Sequence, residues 1–190
     1  MYKTASKHAR SRKRGEAFHD KSGTSTFLVP ECDTPRELAS FAENLETQIS
    51  NSSKQLVLNF VGMQSISSDA ALLIHDVLSQ RNSETQIVTQ ARSPITGSGV
   101  LLWLVGDVRQ IRPTAWLRFD VAKHNHCRRV FSWDEPVEAW RGDSEEGGRA
   151  HFDPNTQAVL RLIDKHLPVR LLAGRILTPH ILGEYCLLSE

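Results

Sequence analysis

The chain is 190 residues long, 39% hydrophobic and 24% charged, with a formal net charge of +1; this suits one domain with a real core and leaves little room for two. The longest wholly apolar run, "VLLWLV", falls far short of the ~20 residues needed to cross a bilayer, so no membrane partner is expected. Three cysteines, Cys32, Cys127 and Cys186, are odd in number and lack framework spacing, which argues against a disulfide scaffold and implies a reducing, cytoplasmic setting.

Residues 1–22 hold seven Lys and Arg against Glu16 and Asp20 and contain no apolar stretch of signal-peptide length. They read as a disordered basic tail ahead of a single domain over residues 23–190. Nucleic acid is expected to be no partner except through this tail, whose basic cluster has no interleaved aromatic to stack on bases.

"STFLVPE" is a β-rich run, and "DTPRELASFAENLETQIS" follows it with Thr34 as cap, Pro35 at the first helical position and Glu37 completing a capping box. Leu38, Phe41, Ala42, Leu45 and Ile49 then fall on one helical face. "QLVLNF" is a short apolar strand of the kind buried in a parallel sheet. In "SISSDAALLIHDVLSQ", Ser67 or Ser68 caps a helix whose packed face is Ala70, Leu73, Ile74, Val77 and Leu78, with His75 on the polar side.

"TQIVTQA" is the next strand, and "VLLWLV", apolar on every side, is a buried helix ended by Gly106. "TAWLRF" alternates Ala115, Leu117 and Phe119 with Trp116 and Arg118, as a strand does. From Val121 to Phe152 periodicity fades, and a mobile polar loop is expected near 141–151. "DPNTQAVLRLIDKHL" resumes as a helix capped by Asp153 and packed through Val159, Leu162 and Ile163; Pro168 stops it. Gly174 closes a short piece, and Thr178 and Pro179 open a last helix. Strands alternating with helices predict an α/β fold with a largely parallel sheet and right-handed crossovers.

Within this order, "TGSGVLLWLVGDVRQIRPTAWLRF" places a glycine-flanked turn before a buried helix, then Gly-Asp-x-Arg, then a strand. The segment resembles the ClpP and crotonase superfamily, and "LVLNFVG", "IHDVL" and "RILTPHILGEYCLLSE" extend the resemblance from about Ser25 to the C-terminus. It implies a repeated ββα spiral with flanking helices, and an assembly into rings through the region after the catalytic histidine position. Carried over residue by residue, the family's nucleophilic serine falls on Gly97, its histidine on Asp120 and its aspartate near Gly174. An acyl-transfer triad needs a hydroxyl, an imidazole and a carboxylate, so the resemblance implies a pseudopeptidase that acts by oligomerisation, with itself or a related subunit, or by binding a peptide or acyl ligand.

Alternatives stay open. Ser98 is one residue from the expected position, a rotation of ~100° at a helix start, and with a displaced base at His124 or His75, and Asp120 as a further catalytic candidate, it would make an active serine hydrolase of ClpP type. The family's oxyanion donors would come from the turn at Gly97, Ser98 and Gly99 and from the loop at Gly62 and Met63, where the second family glycine is replaced by Met63. Such a hole also suits acyl-CoA binding of the crotonase kind. "QLVLNFVGMQSISSDAALLIHDVL" resembles the strand and serine-capped helix of STAS domains, which would make Ser67 or Ser68 a phosphosite. "HNHC", with His124, His126 and Cys127, has no second ligand cluster; no metal and no cofactor are expected. Trp103, Trp116, Trp133 and Trp140 are assigned to packing rather than to a binding surface.

Overall fold

The computed structural model describes residues 18–19, 23–30, 34–50, 54–62, 64–119 and 154–189. Eight strands and six helices are described: β1 (Phe18–His19), β2 (Thr24–Leu28), α1 (Pro35–Ser50), β3 (Gln55–Phe60), β4 (Gln64–Ile66), α2 (Ser68–Ser79), β5 (Gln86–Ala91), β6 (Ile95–Gly97), α3 (Gly99–Leu104), β7 (Val108–Ile111), β8 (Leu117–Arg118), α4 (Pro154–Asp164), α5 (Val169–Leu172) and α6 (Pro179–Glu184). The fold is α/β with mostly parallel pairing, as the alternation of strands and helices predicts.

The strands form two sheets, a five-stranded one ordered β1-β2-β3-β5-β7 and a three-stranded one ordered β4-β6-β8. Among the described ladders β1 on β2 is antiparallel and the others are parallel, and Leu117 and Leu177 form an isolated antiparallel bridge. Successive strands alternate between sheets: β3, β5 and β7 lie in the larger and β4, β6 and β8 in the smaller, with α2 and α3 between pairs. From Leu56 to Phe60 every residue of β3 is buried, as expected of a central strand of a parallel sheet covered on both faces.

Local chemistry sets the helix ends. The Thr34 N–H donates to Glu37 Oε2 at 3.1 Å and the Glu37 N–H to Thr34 Oγ1 at 3.2 Å, a reciprocal capping box. Phe41, Ala42 and Leu45 of α1 are buried, and Phe41 meets Phe27 of β2 edge-to-face at 6.0 Å between ring centres. Ser67 caps α2, its Oγ accepting from the Ala70 N–H at 3.2 Å. All six residues of α3 are buried, so this helix is the hub of the core.

Two expected faces are rotated. In α2 the buried set is Ala70, Ala71, Ile74, Val77 and Leu78, while Leu73 is 43% exposed. At 100° per residue these five fill an arc of ~120°, with Leu73 some 40° beyond one edge and His75 ~40° beyond the other. His75 is therefore half-buried rather than on the polar surface. In α4, Leu160 is buried with Val159 and Ile163, and Leu162 is only partly covered. Strands β4, β6 and β7 had no alternating signal; β4 and β6 are three residues long, and β7 carries Arg109 and Gln110. Within the tail expected to be disordered over residues 1–22, Phe18–His19 instead form β1, held by antiparallel pairing to β2; residues 1–17 and 20–22, Asp153 and the loop near 141–151 lie outside the described residues. Among those described, no helix is long and apolar enough to cross a membrane.

Candidate functional site: a hydroxyl chain between three helices

Ser68 is the first residue of α2, Ser98 directly precedes α3, and Thr156 is the third residue of α4. Their hydroxyls are linked in series: Ser98 Oγ to Ser68 Oγ at 3.0 Å, and Ser68 Oγ to Thr156 Oγ1 at 2.9 Å. A second bond joins the same ends of α2 and α4, from Asn155 Nδ2 to Asp69 Oδ1. The N-terminal ends of three helices, each with unpaired N–H groups and a partial positive charge, thus converge on one part-buried polar cluster. Each hydroxyl serves as donor or acceptor toward the next, and the cluster ties together helices far apart in sequence.

Ser98 has helical backbone angles, φ −67° and ψ −15°, and does not cap α3 with its side chain. Its hydroxyl turns instead to Ser68. Gly97, where the resemblance puts the nucleophile, is exposed at φ +59°, and Gly99 is buried inside α3. Gly97 ends β6, so the positive φ turns the chain from strand into helix. Gly62, from the loop expected to supply the other oxyanion donor, also takes a positive φ of 89° after β3. Gly174, at φ +76°, donates its N–H to the Phe119 carbonyl at 2.8 Å. That bond brings the two segments expected to carry the family's histidine and aspartate side by side. Met63, Asp120 and His124 lie outside the described residues, as do His126 and Cys127, Trp133 and Trp140.

Gly-Asp-x-Arg acts as a joint. A Cβ on Gly106 would lie 2.3 Å from Thr89 Oγ1, which itself donates to the Trp103 carbonyl at 2.8 Å. Asp107 accepts from Arg81 Nη2 at 2.7 Å and from the Ile87 N–H at 2.8 Å. Arg109 donates through Nη1 to the Leu104 carbonyl at the end of α3 and through Nε to the Leu187 carbonyl. The motif therefore locks α3, β5, β7 and the C-terminal segment together, with a cation at the negative end of a helix. Trp103 is fully buried and donates from Nε1 to the Gln110 carbonyl at 3.2 Å, so its place is in the core.

Sequence reasoning found Ser98, Ser67 and Ser68 but missed Thr156 and Asn155. Eighty-eight residues separate Thr156 from Ser68, and the only local hint was a polar first turn after Pro154. Ser67 is exposed, apart from its capping bond, whereas Ser68 is enclosed in the chain of hydroxyls. Among the described residues, no group of three His, Cys, Asp or Glu is placed to hold a metal ion. No family model matches the chain, and no curated protein sequence does.

Proposed function

We propose that this chain is a ClpP/crotonase-type α/β protein that works as a binding or assembly subunit, with itself or a related chain, rather than as a peptidase. The bond from Ser98 Oγ to Ser68 Oγ carries the reading: the serine hydroxyl beside the family nucleophile position is held by another hydroxyl, which has no basicity to take its proton. Gly97 at the position itself has no side chain to attack with. Support for the ββα spiral comes from the strict alternation of β3 to β8 between two sheets in which these strands pair parallel. The helix ends gathered at Ser68, Ser98 and Thr156 suit the carbonyl oxygen of a peptide or acyl ligand. A reducing, cytoplasmic location accompanies this reading.

Two measurements on the full chain test it. Exposure to a fluorophosphonate probe is expected to leave Ser98 unlabelled; labelling that disappears in Ser98→Ala would make the protein an active serine hydrolase. Light scattering behind size-exclusion chromatography is expected to give an oligomer at micromolar concentration, and a clean monomer would remove the assembly role.

A further inference from the structure

The helices that begin at the hydroxyl chain end around a cavity of about 430 Å³. Its walls hold His75 and Ser79 of α2, Arg109 of β7, and Lys165 and His166 just beyond α4; Leu101, Leu104 and Leu162 form an apolar side. The cavity also contains the pair Arg81 and Asp107, in which Asp107 already accepts from Arg81 Nη2 and the Ile87 N–H. That carboxylate is thereby occupied, and Lys165 and Arg109 leave the cavity with an excess of positive charge. Arg109 uses two of its N–H groups on the Leu104 and Leu187 carbonyls, which is only part of a guanidinium's donor set. His75 Nδ1 is buried and makes no hydrogen bond among the described residues, and Asp76 Oδ1, a further charge beside it on α2, lies 3.6 Å from it.

Cations at helix C-termini have a structural use, and Arg109 on Leu104 and Arg81 on the Leu78 carbonyl fulfil it. That use does not account for Lys165, His166 and His75 gathering at the same opening. We propose that this cavity binds a small phosphate-bearing molecule, with the phosphate among Lys165, His166, His75 and Arg109 and an apolar group against Leu101, Leu104 and Leu162. A phosphate offers several acceptor oxygens and a charge near −2 to a set of donors of this kind. The site lies at the opposite ends of the helices from Ser98 and does not depend on the function proposed above.

Burial holds the His166 imidazole below its usual value, and the charges of Arg109, Lys165 and His75 push the same way. The described charged groups facing this cavity from the surrounding elements are His75, Arg81, Asp107, Arg109 and Lys165. A bound phosphate offsets their net positive field and so favours the protonated form of His166. Binding should therefore tighten as pH falls toward the imidazole range, until the phosphate itself takes up a proton.

The test follows the histidine Cε1–H resonances of the full chain by NMR while inorganic phosphate or phenyl phosphate is added at constant ionic strength. Phenyl phosphate should shift His75 and His166 saturably and raise the His166 pKa, and it should bind about tenfold more tightly than inorganic phosphate through its ring. Lys165→Gln should weaken it about tenfold with an unchanged melting temperature. Equal shifts across all eight histidines, no saturable shift at His75 and His166, or unaltered binding by Lys165→Gln would each overturn the proposal.

Discussion

Ser98 Oγ lies 3.0 Å from Ser68 Oγ, and Ser68 Oγ lies 2.9 Å from Thr156 Oγ1. One side chain at the centre thus holds two others, from helices 30 and 88 residues away in sequence. Ser98→Ala should cost about 1 kcal/mol and Ser68→Ala about 1 to 3 kcal/mol, because the second breaks both hydrogen bonds of the chain. The double variant should cost less than the sum of the two, by ~0.5 kcal/mol or more. Urea unfolding of the four proteins measures this coupling; strict additivity would mean that the two hydroxyls do not interact.

Gly97→Ser places a hydroxyl where the proposed ClpP/crotonase register puts the nucleophile. A Cβ there has no atom within 4 Å, yet the residue sits at φ +59°, which costs a non-glycine residue about 1 to 2 kcal/mol. The variant should fold, melt several degrees lower, and stay unreactive toward a fluorophosphonate, since no described residue beyond its chain neighbours comes within 4 Å of that Cβ to act as a base.

Gly106→Ala should be more damaging than its size suggests. Besides Thr89 Oγ1, the added methyl would meet Thr89 Cγ2 and the Val108 carbonyl oxygen, each at 3.0 Å. Overpacking of this kind costs about 1 to 3 kcal/mol, and the hydroxyl that must move is the one bonded to the Trp103 carbonyl. Adding Thr89→Ala removes both side-chain clashes and should recover part of the loss in a thermal melt.

Neighbouring residues of α2 should respond very differently to truncation. Ile74 is 1% exposed and Leu73 43% exposed, so Ile74→Ala should cost about 2 to 5 kcal/mol and Leu73→Ala no more than about 0.5 kcal/mol. Equal losses in chemical denaturation would mean that α2 presents another face to the core.

His166 should make stability depend on pH. Its folded pKa lies below the unfolded value of 6.5, through burial first and then the charges of Arg109, Lys165 and His75. The unfolded chain therefore takes up the proton first as pH falls, and stability declines as pH drops through about 6.5 and on toward the folded value. His166→Gln should flatten this part of the profile, and phosphate-free urea titrations from neutral to mildly acidic pH compare the two slopes.

Much of the scaffold was legible in the residue order because its signals are local. The capping box of Thr34 and Glu37 lies within one turn, Ser67 caps the helix it precedes, and "VLLWLV" is apolar on every side wherever it is placed. Burial of Ala115, Leu117 and Phe119 follows from an alternation of two. The three-residue strands β4 and β6 are too short to display any period and exist because each finds a parallel neighbour.

For the candidate site, sequence alone determined which hydroxyls and glycines were available: Ser67, Ser68, Ser98, Gly97 and Gly62. Only the tertiary structure decided that Ser98 turns to Ser68, that Thr156 and Asn155 complete the cluster, and that the far ends of the same helices enclose Lys165, His166 and His75. The physical reason is range. A cap, a turn or an amphipathic face is fixed by residues a few positions apart, whereas a hydrogen bond across 88 residues is fixed by how whole helices pack around α3.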